Sequence, residues 1–113
     1  MNPLTRFHAH VYFDRAQRQQ AIDLRREVGR RFAVPVGALH DHPIGPHSKG
    51  TFQVLFDIEA FGRIVPWLMQ HRGDLDVLVH GDSGDDLIDH TQHVVWLGST
   101  QKLHTEMFAT GQR

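Results

Sequence analysis

Two histidines near the start of the chain, His8 and His10, are separated by a single residue. Residues 7–13 alternate between apolar and polar side chains, and this period of two predicts a strand with both imidazoles on one side. The rise of two strand residues places them about 6.6 Å apart. Both could bind one metal ion, or one could bind the ion while the other transfers protons, although the same spacing also occurs on ordinary solvated sheet faces.

A second group of histidines stands in residues 40–50, a stretch with two prolines and two glycines. These residues exclude regular structure and restrict the path of the loop, which would hold His42 and His47 in a defined place. Such a rigid loop suits metal ligands and other binding residues. The alternative is a tight connection whose histidines simply face solvent.

Two further histidines accompany later elements. Residues 75–80 alternate, so that leucine and valine side chains face the core while His80 ends the strand on its other side. In one common sheet, His80 would join His8 and His10, and His90 follows at the start of the next predicted segment. Four other histidines are expected to have no special role: His40, His71, His93 and His104.

The chain has no cysteine, which excludes disulfides, thiolate metal ligands and a cysteine nucleophile. Imidazole suits zinc, copper, nickel and iron, and the lack of sulfur favours an open catalytic or redox site over a closed structural zinc site. Non-haem iron oxygenases commonly combine two histidines with one carboxylate. Four carboxylates are candidates here, and their spacing singles out none of them: Asp41, Asp76, Asp89 and Glu106.

The remaining segments predict the elements that must position these histidines. Asp14 and Gln17 form a capping box for a helix over residues 15–31, and residues 51–57 alternate as a second strand. Residues 58–70 have helical spacing, with a kink or a break expected near their proline. Weaker patterns predict three further strands: an irregular edge segment over 33–39, a strand through residues 94–97 within the segment 89–98, and another near 103–108.

This order of elements matches the α+β class and the ferredoxin-like split βαβ plan. In that plan two helices cover one face of an antiparallel sheet and leave the other face open. The strand that carries His8 and His10 is central in the plan, so the open face would be rich in histidine. A chain of 113 residues, 40% hydrophobic and 22% charged, is expected to form a single domain over residues 1–113.

The charge balance limits the partners that the chain can be expected to bind. Twelve basic and 13 acidic residues give a net charge of -1, so there is no electrostatic reason to bind nucleic acid or an anionic membrane. The first residues lack the pattern of a signal peptide, and no run approaches the roughly 18 apolar residues of a membrane span. We therefore expect a cytoplasmic protein. A homodimer formed through a sheet edge is also compatible with the sequence.

Several short motifs follow one another along residues 7–98. They are His8-Ala9-His10-Val11-Tyr12-Phe13, Pro43-Ile44-Gly45-Pro46-His47, Trp67 with Arg72-Gly73 before Leu78-Val79-His80, Asp89-His90-Thr91, and Trp96-Leu97-Gly98. In this order they resemble the DOPA 4,5-dioxygenase family. Several separated motifs in one order are far more specific than any one of them alone.

The resemblance implies an oxidoreductase that opens a catechol ring next to its two hydroxyls, an extradiol dioxygenase that uses Fe(II) and dioxygen. On this basis we expect His10, His47 and His80 as iron ligands, with His8 or His90 as the acid and base. Zinc or nickel could occupy the site in a purified sample. Four further residues would line the substrate pocket: Tyr12, His42, Trp67 and Trp96.

Other functions are compatible with the same residues. A non-enzymatic module that binds zinc, nickel or another ligand through the same histidines is the main alternative. A structural dimerisation domain is a third interpretation, but it predicts apolar side chains where the first strand carries His8 and His10. The sequence does not distinguish DOPA from caffeate, protocatechuate or another dihydroxylated ring as the substrate.

Overall fold

The structure, a computed structural model, describes residues 2–108. Four strands and three α-helices alternate along this part of the chain: β1 (Arg6–Phe13), α1 (Arg18–Arg31), β2 (Gly50–Asp57), α2 (Ile58–His71), β3 (Asp76–Gly81), α3 (Asp86–Thr91) and β4 (Val94–Leu97). A 3-10 turn, Arg15–Gln17, precedes α1, and the predicted capping box is present, because Asp14 accepts from the Gln17 amide while Gln17 accepts from the Asp14 amide. Another 3-10 turn, Thr105–Met107, follows β4.

The strands form one antiparallel sheet in the order β2-β1-β3-β4. This arrangement confirms the α+β class and the split βαβ plan, with β1 in a central position. The predicted edge segment over 33–39 is reduced to isolated contacts with β2, among them Val36 opposite Val54. Pro35 accounts for this reduction, since a residue without an amide hydrogen cannot continue a ladder of hydrogen bonds.

The alternation in each strand separates an apolar face from a histidine face. The core lies between the apolar face and the two long helices, and its fully buried side chains include Val11, Phe52, Ile64, Leu68 and Val77. Burial of apolar side chains is the main stabilising contribution to such a domain. Neither α1 nor α2 covers the other face, which carries the histidines of β1 and β3.

The histidine face is nevertheless shielded from solvent. Residues 44–47 cross it and hydrogen-bond to the segment after β4, where the His104 amide donates to the Pro46 carbonyl at 2.8 Å and His47 pairs with Leu103. His10 and His80 are consequently only 7% and 4% exposed. The sheet thus gives these imidazoles a protected environment instead of displaying them to water.

Two segments near the end of the chain differ from the sequence-based expectation. Residues 86–91 form α3, a helix that the sequence did not predict, and the strand expected through residues 94–97 is present as β4. Asp85 caps α3 by accepting from the Ile88 amide, and acidic residues favour the first turn of a helix. The strand expected near 103–108 was wrong, since these residues contain one bridge at Leu103 followed by the 3-10 turn.

The expected break in the second helix is absent, because α2 runs continuously from Ile58 to His71 with Pro66 inside it. Pro66 removes the hydrogen bond to the Gly62 carbonyl, but both residues are exposed, so water can satisfy that carbonyl.

Both long helices have 14 residues. Over residues 2–108, none of the helices combines the length and the apolar character needed to cross a membrane.

Candidate metal centre

The pairing of β1 with β3 brings three histidines together. His8 lies directly opposite His80, with their ring centroids 5.0 Å apart, and His10 lies two residues further along the same face. The Nε2 atoms of His10 and His80 are 2.9 Å apart. One ring nitrogen from each of the three histidines lies within 4.8 Å of the other two, which makes this trio a candidate site for one metal ion.

Hydrogen bonding orients His80 for this role. The backbone carbonyl of Gly81 lies 2.9 Å from His80 Nδ1 and can only accept, so Nδ1 carries the proton and Nε2 has a free lone pair. Metal-bound histidines commonly donate their second ring N–H to such a carbonyl. For metal–nitrogen bonds of about 2.0–2.1 Å, two ligands at a right angle are separated by about 2.9 Å. The distance between His10 and His80 therefore fits two neighbouring positions on one ion.

A fourth histidine reaches the cluster from the loop. His47 is 5% exposed, and its ring centroid lies 4.3 Å from that of His10. Its Nδ1 is 2.7 Å from the hydroxyl of Tyr12, which neighbours His10 on the same face of β1. His47 is outside the trio whose nitrogens lie mutually within 4.8 Å, whereas His8, which was expected as an acid or base, lies inside it.

The fifth histidine of the cluster, His90, is placed by α3. Its ring centroid is 4.3 Å from that of His80 and 4.8 Å from that of Phe108. Its Nδ1 donates to the Asp86 carbonyl at 2.7 Å, the position one helical turn earlier, which leaves Nε2 unprotonated in the neutral ring. A helical backbone and an aromatic neighbour thus hold a potential proton acceptor beside the trio.

Burial favours the uncharged form of four histidines: His8, His10, His47 and His80. Desolvation lowers the pKa of His10 well below its ordinary value, and the nearby His47 and His80 lower it further. Burial likewise lowers the pKa values of His47 and His80 to about 4. For His8, burial lowers the pKa although Asp82, whose Oδ2 lies 3.7 Å from Nε2, acts in the opposite direction. Neutral imidazole is the form that binds metals, so these histidines need not lose protons first.

The expected pocket residues are distributed over different parts of the fold. Tyr12 and Trp96 lie on the histidine face, with their rings stacked at 5.9 Å between centroids. Trp67 lies on α2, across the sheet from the cluster, where it contacts Phe32 and His71. His42 is exposed, and within residues 2–108 no ring contact or hydrogen bond joins it to the other histidines.

None of the four candidate carboxylates joins the trio within the described range of residues. Asp41 pairs with Arg18, Asp76 accepts from Ser99 and Gln101, and Glu106 lies near His104. Asp89 is buried, but its oxygens accept from Ser83 and His93. Asp82 is a carboxylate that does lie beside the cluster, 3.7 Å from His8 Nε2, and sequence reasoning missed it because no spacing rule relates the loop after β3 to His8.

Asp89 instead supports the helix that carries His90. Burial acts to raise its pKa, but the hydrogen bonds from His93 and Ser83 outweigh that effect and lower it. We expect Asp89→Asn to lower the free energy of unfolding by about 1–3 kcal/mol, because an amide replaces one acceptor with a donor that faces the Ser83 amide. Urea denaturation would measure the change. Asp74→Asn is the matched control, since Asp74 is exposed, and an equal loss in both variants would contradict this role.

A cavity of about 220 Å³ adjoins the cluster on the side of His10 and His47. Its remaining walls come from the edge segment over 33–39, the loop that follows it up to β2, and β2 itself: Gly37, Ala38, His40, Ile44, Gly45, Pro46, Thr51 and Gln53. These lining residues include no aspartate, glutamate, lysine or arginine. The cavity is therefore suited to a small, largely uncharged group such as an aromatic ring.

Comparisons with known proteins identify close relatives. The model of the Dopa 4,5-dioxygenase family matches residues 7–107. The DOPA 4,5-dioxygenase of Amanita muscaria is 32% identical over 107 residues, which cover 87% of this chain and 47% of the fungal protein. An uncharacterized 21.2 kDa protein of Botryotinia fuckeliana is 36% identical over 104 residues, covering 81% of this chain and 57% of that protein. The chain thus spans about half the length of these curated relatives.

A solved structure is similar over nearly the whole chain. It is the crystal structure of a protein from Nostoc punctiforme, provisionally named as a dioxygenase, with a TM-score of 0.93 and 45% identity. The alignment covers 96% of this chain and 95% of that one. The agreement therefore extends over the sheet, the helices and the elements that carry the histidine cluster.

Proposed function

This chain belongs to the Dopa 4,5-dioxygenase family, and from that membership we propose that it cleaves a catechol ring in the extradiol position with dioxygen and a histidine-bound Fe(II). The observation that carries the proposal is the trio His8, His10 and His80, whose ring nitrogens lie within 4.8 Å of one another. Three ligands on one side of an ion leave further coordination positions open, as an oxygenase requires.

The proposed reaction, and not the donor set, favours iron as the metal. Neutral imidazole binds iron, zinc, copper and nickel alike, so the choice rests on the reaction. Zinc has no redox chemistry and would not activate dioxygen. Bound ferrous iron would supply Lewis acidity and a path for electrons between a catechol and dioxygen.

His90 is our proposed acid and base. Its Nε2 is unprotonated while Nδ1 donates to Asp86, so it can accept a proton from a catechol hydroxyl and later return one. His8, the other candidate from the sequence, is assigned to the metal because its ring nitrogen lies within the trio.

The adjoining cavity supports an aromatic substrate. Its volume of about 220 Å³ and its uncharged lining suit a six-membered ring, and His10 and His47 form its wall toward the proposed ion. We place the catechol in this cavity with its hydroxyls toward the cluster. The substituents on the ring would then extend toward residues 37–40 and 44–46, where loop residues determine which catechols fit.

Anaerobic reconstitution with ferrous iron, followed by a catechol and air, tests the proposal. We expect a yellow ring-cleavage product that forms with iron and not with zinc, and that has the mass of the catechol plus two oxygen atoms. Tight binding of zinc without product under any metal would contradict the enzyme and favour the alternative, a module that only binds metal. The protein without added metal is the control.

A further inference from the structure

The hydrogen bond between Tyr12 and His47 determines which nitrogen of His47 carries its proton. The Tyr12 side chain is 1% exposed, and its hydroxyl lies 2.7 Å from His47 Nδ1. Within residues 2–108, the Tyr12 hydroxyl has no other hydrogen-bond partner. Because the phenol is buried, its one proton must be donated within the protein or remain without an acceptor.

Only one direction of this hydrogen bond satisfies both groups. If His47 Nδ1–H donated to the phenol oxygen, the buried phenol O–H would have no acceptor, and unsatisfied buried donors are costly. If the phenol donates, His47 Nδ1 accepts through its lone pair and no buried donor is lost. The neutral imidazole then carries its proton on Nε2.

We propose that Tyr12 holds His47 in the Nε2–H tautomer, so that His47 presents a hydrogen-bond donor to a catechol oxygen and is not a metal ligand. The part that concerns the catechol rests on the function proposed above. Tyr12 is a positioning residue in this arrangement, since it acts through His47. The assignment differs from the sequence-based expectation, which gave His47 to the metal.

Three further observations support this role. The ring nitrogens of His47 lie outside the trio that could share one ion. Its side chain lines the cavity beside His10, and with Nδ1 engaged by Tyr12, Nε2 is the nitrogen that remains for a bound molecule. Its backbone is held as well, because it pairs with Leu103 and its amide donates to the Ile44 carbonyl at 3.1 Å.

A fixed donor at this place has a clear chemical use. A catechol that approaches the cluster loses a proton and places negative charge on an oxygen, and an N–H donor in a water-poor cavity stabilises that charge. A ligand nitrogen could not do so, since it has no proton to donate. The donor would also select one orientation of the ring, because only one oxygen can face His47.

The tautomer can be measured without metal or substrate. Nitrogen-15 NMR of the metal-free protein distinguishes a protonated ring nitrogen from a bare one, and we expect Nδ1 bare and Nε2 protonated for His47. In Tyr12→Phe, which removes only the hydroxyl, we expect His47 to populate both tautomers. A proton on Nδ1 in the wild type would overturn the proposal, as would an unchanged His47 spectrum in Tyr12→Phe.

Metal affinity provides the second measurement. His47→Gln, whose side-chain amide is still able to donate, should change the affinity for Fe(II) or Zn(II) by less than about tenfold, whereas His80→Gln should lower it by more than about 100-fold. Equal losses in the two variants would make His47 a ligand and overturn the proposal. A spectrum of dispersed amide signals from each variant establishes that it is folded.

Turnover separates this inference from the proposed function. His47→Leu, which cannot donate, should have a kcat/KM about 100-fold below that of His47→Gln. Equal values would overturn the role of the donor. If the wild type cleaves no catechol with any metal, the proposed function and the catechol part fail together, and the tautomer and the affinities still decide whether His47 is a donor or a ligand.

Discussion

Replacing His80 by alanine is expected to remove stoichiometric metal binding and, with it, any ring cleavage. The His80 imidazole is the link between the two β1 histidines, since its Nε2 lies 2.9 Å from that of His10 and its ring lies 5.0 Å from that of His8. Its Nδ1–H is held by Gly81, so the ligand is already oriented before an ion arrives. Replacing a residue that only hydrogen-bonds to a metal ligand commonly lowers the metal affinity about 10–100-fold. Replacing the ligand itself should lower it further.

Isothermal titration with Fe(II) under anaerobic conditions, or with Zn(II) in air, measures this effect. His71→Ala is the matched control, because His71 is an exposed histidine on α2 that stacks on Trp67 across the sheet from the cluster. We expect wild-type affinity from the control and a loss of at least about 100-fold from His80→Ala. Wild-type affinity in His80→Ala would show that the metal, if one binds, lies elsewhere.

The metal-free protein is expected to lose stability as the pH falls from 6.5 toward 4. His47 and His80 are buried as neutral rings with pKa values of about 4, whereas the same side chains titrate near 6.5 in an unfolded chain. Between these values the unfolded state binds more protons than the folded state, and stability therefore rises with pH in this window. Each pKa unit corresponds to about 1.4 kcal/mol, so the shifted pKa of either histidine alone lowers the free energy of unfolding by about 3 kcal/mol at pH 4.

Urea denaturation at several pH values between 7.5 and 4 checks this expectation. Well above pH 6.5 both states are neutral at His47 and His80, and the contribution of these two histidines to stability should not vary with pH. His47→Gln should reduce the slope between pH 6 and 4.5, because it removes one group that protonates on unfolding, while the exposed His71→Gln should leave it unchanged. A wild-type stability that does not vary between pH 7 and 5 would contradict the buried neutral state of these rings.

Some of the site was predictable from short stretches of sequence. The alternation around His8 and His10 places both on one face of β1, and the alternation of β3 places His80 on its non-core side, because the side chains of a strand alternate regardless of its partners. Asp14 and Gln17 likewise marked the start of the first helical segment. These features depend on residues within a few positions of one another.

The grouping of the histidines was not predictable in the same way. Whether His8 or His47 completes the trio depends on the register that places His8 opposite His80 and on the hydrogen bond that draws His47 toward Tyr12. The position of Trp67 was not predictable either. It was expected to line the substrate pocket, but it packs against Phe32 on the helix side of the sheet. Each of these outcomes joins residues that are more than 30 positions apart in the chain.

The amino-acid sequence by itself determined the central strand, the face on which its histidines lie and the family to which they belong. Tertiary structure alone decided that this face is covered, that α3 presents His90 to it, and which imidazoles can share an ion. Local periodicity sets the direction of a side chain, whereas distances of a few ångströms between remote nitrogens follow from strand register and loop packing, which are properties of the whole fold.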